Sequence, residues 1–261
     1  GRAIFAAMLI MLVIFLGTIA VNEQNATPQL AQNGVVNIAA TDTQAGGNME
    51  GKESRFGIAA SSVWTAYTTA ASNGSVNSML DSYTPISGLA AMLQIQLGEV
   101  IFGGVGCGLY GMLAFAILTV FIAGLMVGRT PEYLCKKIEP FEMKWAVLVC
   151  LATPIGILVA SGIAAIVPSV ADSLNNVGAH GFSEMLYAYS SAGGNNGSAF
   201  AGFNANTPFL NTSIGLTMIF ARLLPIVGIL AIAGSLVQKK KVAVTAGTLS
   251  TSNAMFVFLL I

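Results

Sequence analysis

The sequence predicts an all-α membrane protein in which a helix–pore-loop–helix unit, with a re-entrant pore helix, is repeated in one orientation as a parallel pseudo-repeat. Three observations predict it. Hydrophobic residues make up 55% of the 261 positions and charged residues 8%, with a mean hydropathy of +0.76, whereas soluble domains carry about 25% charged residues. Apolar runs long enough to cross a bilayer alternate with polar segments. A short polar phrase also occurs twice, as Thr68-Thr69-Ala70-Ala71-Ser72-Asn73-Gly74-Ser75 and as Ser190-Ser191-Ala192-Gly193-Gly194-Asn195-Asn196-Gly197-Ser198. The terminal glycines, Gly74 and Gly197, lie 123 residues apart.

Residues 1–127 are read as one unit. Residues 4–21 carry no charge and suffice for one span. Residues 22–53, rich in Asn, Gln, Thr, Ala and Gly, form an outer loop. Residues 56–69 are apolar, contain Trp64 and Tyr67, and are too short to cross. They are expected to be a re-entrant pore helix, and residues 69–75 the loop that follows it. Irregular backbone at membrane depth survives only where protein or a water-filled cavity covers it.

Polar residues 77–85 lead into an apolar run at 86–127. As one helix its 42 residues would extend about 63 Å at ~1.5 Å per residue, against a hydrocarbon core of ~30 Å. The run must break, and Gly103-Gly104-Val105-Gly106-Cys107-Gly108 is the place. Half-helices at 89–101 and 109–127 are expected, joined by non-helical backbone. The alternative is two ordinary spans with a tight turn. It fits less well, because 86–102 is short, contains Gln94, Gln96 and Glu99, and leaves no polar loop.

Residues 128–144 hold Arg129, Glu132, Lys136, Lys137, Glu139, Glu142 and Lys144, a basic-leaning loop that the positive-inside rule places in the cytoplasm. The second unit is 145–236. It has a span at 145–167 containing Pro154, a pore helix at 182–192, the second polar phrase at 193–199 and a span at 212–236. Residues 237–253, opening with Lys239-Lys240-Lys241, are a second cytoplasmic loop, and 254–261 start another span. The order then closes without contradiction, both units pointing the same way. Inverted-repeat transporters would turn one unit over. Two units supply half of a four-fold pore. The start at Gly1 without Met and the end inside an apolar run lead us to expect a piece of a longer chain.

Small polar residues with permissive glycine suit an extended backbone whose carbonyls replace the hydration shell of a potassium ion. Taken singly, each copy also reads as an Asn-Gly turn, or as a short glycosylation acceptor. The repetition in matching surroundings favours the ion. Cys107, Cys135 and Cys150 lack metal-ligand spacing, and His180, the single histidine, reads as a plain polar residue. No catalytic constellation and no metal site beyond K+ is expected. Zero net charge without a basic patch argues against nucleic acid. No Gly-rich loop ending in Lys-Ser/Thr is present, so no nucleotide is expected to bind in that way.

Four stretches carry a resemblance: Asn48-Met49-Glu50-Gly51-Lys52-Glu53-Ser54-Arg55-Phe56-Gly57, Gly103-Gly104-Val105-Gly106, Gly128-Arg129-Thr130-Pro131-Glu132-Tyr133-Leu134 and Asn195-Asn196-Gly197-Ser198-Ala199-Phe200-Ala201-Gly202. Through them nearly the whole chain resembles the potassium-binding A subunit family of the Kdp potassium-transporting ATPases, in its C-terminal half. The resemblance implies the third and fourth helix–pore–helix units of a bacterial inner-membrane, multi-pass protein. It implies as partners a P-type ATPase subunit that hydrolyses ATP, small accessory subunits and the lipid bilayer. The implied filter falls on Thr69, Ser72, Asn73, Gly74, Asn195, Asn196, Gly197 and Ser198. Asn73 departs from relatives that carry Cys there.

The function expected is a non-catalytic, ion-selecting subunit of an ATP-driven potassium uptake system. The alternative is a passive potassium channel or symporter subunit of the same superfamily. Glu99, Gly103, Gly104, Gly106, Gly108 and Arg222 are expected to form a gate or tunnel. Glu99 and Arg222 are charges in apolar runs, and such charges need a partner or a wet cavity.

Overall fold

A backbone in hydrocarbon must satisfy its own hydrogen bonds, so uninterrupted apolar runs close into helices. The computed structural model describes residues 1–26, 32, 37–98, 100–104, 106–126, 128–243 and 248–261. In chain order its elements are α1 (Arg2–Asn25), α2 (Gly57–Ala70), a 3-10 turn at Leu80–Ser82, α3 (Pro85–Gln96), α4 (Cys107–Met126), β1 (Glu132–Tyr133), β2 (Lys136–Lys137), α5 (Pro140–Ala165), α6 (Pro168–Ala171), α7 (Gly178–Gly193), α8 (Pro208–Gln238) and α9 (Ala254–Leu260). The chain is therefore an all-α membrane protein with almost no sheet.

Among the described residues α1, α4, α5 and α8 are long and apolar enough to cross a membrane. Their outward faces stay apolar, with Leu9, Val13, Leu125, Leu158 and Leu230 exposed. The 14-residue α2 and 16-residue α7 reach only ~21 and ~24 Å at ~1.5 Å per residue, short of a ~30 Å core. Each packs inside its own unit. α1 lies against α2 and α3, and α5 lies against α7 and α8. The units meet where α4 packs on α5 and α3 on α7.

Several helices run past the expected bounds, for local reasons. α5 starts at Pro140 rather than 145. Glu139 caps it, Glu142 Oε2 accepts from the Glu139 amide at 2.8 Å, and proline suits the first turn. α8 starts at Pro208 rather than 212, with Thr207 Oγ1 accepting from the Leu210 amide at 3.3 Å. α7 begins at Gly178 rather than 182 and keeps the Ser190–Gly193 stretch of the polar phrase helical. The long apolar run is interrupted: α3 ends at Gln96 and α4 begins at Cys107. Cys107 and Gly108 are helical, so the non-helical stretch sits earlier than the glycine cluster suggests.

The outer loop is fixed by a buried ion pair. Lys52 Nζ lies 2.6 Å from Glu23 Oε2, and both side chains are fully buried. Glu23 also accepts from Asn48 Nδ2 at 2.8 Å, from the Thr84 amide at 2.9 Å and from Thr84 Oγ1 at 2.7 Å. Burial lowers the Lys52 pKa, against the opposing pull of Glu23. Lys52 sits 4.0 Å from the centre of the Tyr83 ring. The Tyr83 hydroxyl in turn meets Thr65 Oγ1 at 2.7 Å and Ser78 Oγ at 2.8 Å, and donates to Ser61 O at 3.1 Å. One chain of contacts thus runs from α1 through the outer loop to α2. Residues 27–31 and 33–36 of the expected outer loop lie outside the described residues, as do 244–247.

On the opposite side β1 and β2 pair antiparallel, Glu132 with Lys137 and Tyr133 with Lys136. The turn uses Leu134 and Cys135, both at positive φ. Lys239 ties this hairpin to α5, with Nζ 2.6 Å from Glu142 Oε2. Ser235 Oγ also donates to Glu142.

Candidate functional site

α2 and α7 each end in the polar phrase, and the two endings begin with the same three amide hydrogen bonds in a register of 123. At the first, the Ala71 amide donates to Tyr67 O at 2.9 Å, that of Ser72 to Thr69 O at 3.4 Å and that of Asn73 to Thr68 O at 2.9 Å. At the second, Gly194 donates to Ser190 O at 3.0 Å, Asn195 to Ala192 O at 3.0 Å and Asn196 to Ser191 O at 3.1 Å. Ser72 and Asn195 both turn left-handed, at φ 49 and 54, a conformation that costs most residues but suits a short polar side chain. Asn73 Oδ1 then accepts from the Ser75 amide at 2.8 Å, and Asn196 Oδ1 from the Ser198 amide at 2.9 Å. The helix thereby gives way to irregular backbone within three residues.

The scaffolds around these like loops differ. α2 leans on the Tyr83 hydroxyl. α7 leans on Tyr187, whose hydroxyl is 3.0 Å from Ser198 Oγ, and on Tyr189, whose hydroxyl is 2.6 Å from Ser213 Oγ. Buried Glu184 accepts from the amides of Asn175 and Asn176 at 2.8 and 3.0 Å and so holds the turn before α7.

The loops touch one another. Ser72 Oγ donates to Gly194 O at 3.1 Å and lies 3.3 Å from Asn196 Nδ2, which donates back. A side chain on Gly74 would collide with the Asn196 carbonyl. Gly197 instead has φ +87 and open space where a Cβ would stand. One glycine admits a neighbouring strand and the other admits a backbone angle.

Thr69 is buried at the end of α2 and donates to Thr65 O at 2.7 Å. The Asn73 carbonyl accepts from Thr68 Oγ1 at 3.0 Å. Ser198 is buried, while Asn73 and Gly197 are exposed.

The glycine segment abuts the end of α2. The Gly103 amide donates to Ala70 O at 3.0 Å. Phe102, Gly103 and Gly106 have φ of 62, 59 and 84. Gly103 and Gly108 back onto each other, so that a Cβ on Gly103 would strike Gly108 Cα and one on Gly108 the Phe102 carbonyl. Gly104 has only the Cys107 sulfur near its Cβ position.

Arg222, on α8, is half-buried and lines a cavity of about 110 Å³ with Gln96, Cys107, Tyr110, Thr153 and Gly193. The cavity therefore lies between the end of the second pore helix, the end of α3 and the start of α4. Glu99 lies outside the described residues, and so does its expected pairing with Arg222.

Three features escaped sequence reasoning. The Ser72 side chain bridges the loops, Gln94 and Gln96 contact the two pore helices, and His180 joins the units through a 2.6 Å contact of Nε2 with Asp81 Oδ1. Only the polarity of Gln94 and Gln96 inside an apolar run was a visible signal.

The family model described as potassium-transporting ATPase A subunit matches residues 1–261. The chain is 73% identical over 261 residues to a potassium-transporting ATPase potassium-binding subunit of Clostridium botulinum (strain Alaska E43 / Type E3). It is 70% identical over 261 residues to the protein of that name from Clostridium perfringens (strain ATCC 13124), and 62% identical over 264 residues to that from Desulfovibrio desulfuricans (strain ATCC 27774). In each comparison all of this chain aligns with 45% of the relative, so the chain spans less than half the length of the curated relatives it matches.

Proposed function

Because the chain belongs to the potassium-transporting ATPase A subunit family, we propose that it is an ion-selecting part of the membrane subunit of an ATP-driven potassium uptake system. It takes K+ from outside into a filter of backbone carbonyls and passes it to a P-type ATPase subunit. Thr69, Ser72, Asn73, Gly74, Asn195, Asn196, Gly197 and Ser198 form this chain's share of the filter.

The observation that carries the reading is the meeting of two like loops at Ser72 and Gly194, with Gly74 admitting the Asn196 carbonyl. Adjacent loops that leave their helices by the same three amide hydrogen bonds and the same left-handed step suit a ring of carbonyls around a dehydrated cation. Both pore helices present their C-terminal ends to the loops, and the macrodipole makes those ends negative. Two units furnish half of a four-unit ring, and the remainder of the longer protein furnishes the rest.

The Gly103–Gly108 segment, Glu99 and Arg222 form the gate or tunnel that the ion meets next. The contact of Gly103 with Ala70 supports this for the glycines, and the small cavity supports it for Arg222. The arginine there discourages a cation from running straight through. The subunit itself hydrolyses nothing. ATP is used by the P-type partner, small accessory subunits complete the complex, and the assembly lies in the bacterial inner membrane.

The test is potassium uptake by the full-length subunit in its complex, with Gly74→Ser and Gly197→Ser. Both variants are expected to need more external K+ for half-maximal uptake and to discriminate less well against Rb+ and Na+. Wild-type potassium dependence in both would overturn the filter assignment.

A further inference from the structure

α3 ends between the two pore helices. Residues two apart on a helix point about 200° apart at ~100° per residue, so Gln94 and Gln96 leave the last turn of α3 on opposite sides. Gln94 is fully buried, and its Oε1 lies 3.0 Å from Thr69 Oγ1 on α2. Gln96 Nε2 donates to Ser190 Oγ on α7 at 3.1 Å, and Ser190 Oγ donates on to Leu186 O at 2.7 Å.

The Thr69 contact has a direction. A threonine hydroxyl has one proton, and that of Thr69 is committed to Thr65 O at 2.7 Å. Among the described residues Gln94 Nε2 has no partner. Turning the amide over makes Nε2 the donor to the Thr69 oxygen and satisfies the buried group, since the amide O and N exchange places without changing the shape of the side chain. Just beyond, Gly98 lets the chain pass close under the Thr69 carbonyl, 2.7 Å from where a Cβ would stand, and Gly103 bonds to Ala70 O. One helix end is thus tied to both pore helices just ahead of the glycine segment.

Resting on the reading of the two loops as the ion-selecting site, we propose that Gln94 and Gln96 are positioning residues that hold the C-terminal ends of the two pore helices at a set spacing, and that this spacing determines how the site ranks K+ against Rb+ and Na+. A carbonyl ring discriminates by the number and field of its oxygens. The pore-helix ends carry the loops and add their own negative potential. Loosening either tie shifts both.

The experiment measures K+-stimulated and Rb+-stimulated ATP hydrolysis by the purified complex containing the full-length subunit. The variants are Gln94→Met, Gln96→Met, Thr69→Val, Ser190→Ala and the two paired doubles. Loss of one buried hydrogen bond corresponds to about threefold to tenfold in an equilibrium constant. Gln94→Met and Gln96→Met are expected to raise the KM for K+ by about that factor and to narrow the K+/Rb+ ratio. The kcat at saturating K+ should move little. Each double should resemble its singles, since both members remove one contact. Wild-type KM and ion ranking in both glutamine variants, or a fall in kcat alone, would overturn the proposal. If Gln94→Met fails to assemble, Gln96→Met and Ser190→Ala decide, because Gln96 borders the cavity and its replacement has room. Gly74→Ser in the same assay separates the two readings. An altered K+ dependence there, with unaltered glutamine variants, removes the positioning role and leaves the filter. Unaltered K+ dependence in all of them removes both.

Discussion

At the scale of single residues, Ser72 does two things at one position. Its backbone makes the left-handed step that ends the pore helix, and its side chain crosses to Gly194 and Asn196. Ser72→Ala keeps the first and deletes the second, a loss of about 0.5–1.5 kcal/mol per hydrogen bond. We expect K+ half-saturation of uptake to rise severalfold in this variant while the subunit still assembles, as read by uptake and by gel filtration of the complex. The two glycines separate in the same way. Gly74→Ala drives a methyl group into the Asn196 carbonyl, whereas Gly197→Ala meets only its φ of +87, at about 1–2 kcal/mol. Thermal unfolding of the full-length subunit should therefore rank Gly74→Ala as the more damaging. The glycines were visible in the sequence as a pair. Their different duties were not, because one depends on a strand 122 residues away.

At the scale of elements, the interrupted helix is the informative case. Its break was legible from length alone, since no bilayer accommodates so long a helix. Its position was legible in part: Gly103, Gly104 and Gly106 are non-helical, but Cys107 and Gly108 are helical. Cys107 and Gly108 join α4 because Gly103 and Gly108 cross back to back, an arrangement set by packing rather than by glycine count. Gly108→Ala should accordingly lower the thermal midpoint of the full-length subunit more than Gly106→Ala, whose Cβ has open space at φ +84. Equal midpoints would show that the crossing contributes nothing. The outer clamp behaves as a second such unit. Glu23→Leu leaves the Lys52 ammonium buried without its anion, which costs about 3–5 kcal/mol. The double variant Glu23→Leu with Lys52→Met should recover only the part of the lost midpoint due to the stranded ammonium, because Asn48 and Thr84 still lack their acceptor. The β1–β2 hairpin was not legible at all, because Leu134-Cys135 is no turn dipeptide and its positive φ values are imposed by the pairing of Glu132 with Lys137.

At the scale of the whole molecule, the all-α membrane class was readable from two simple quantities: apolar run length and the scarcity of charge. The contacts that join the units were not, since each links residues about a hundred positions apart. The His180–Asp81 contact is one of them, and it is half-exposed on the histidine side. Such a pair contributes no more than about 1 kcal/mol. We expect Asp81→Asn to shift the thermal midpoint slightly and to leave K+ half-saturation unchanged. A large change in half-saturation would place that contact in the ion path instead.

The loop that ends each pore helix draws nearly all of its hydrogen bonds from its own preceding turn and from its own asparagine. The step from helix to loop is thus written within about eight residues, and the surroundings add the contacts between loops at Ser72 and Gly194. A segment of that kind survives gene duplication well. Each copy stands among different supporting side chains, Tyr83 on one side and Tyr187, Tyr189 and Glu184 on the other, while the same three amide hydrogen bonds end both helices. Divergence between the copies thus sits in the braces, while the step that ends each helix is common to both.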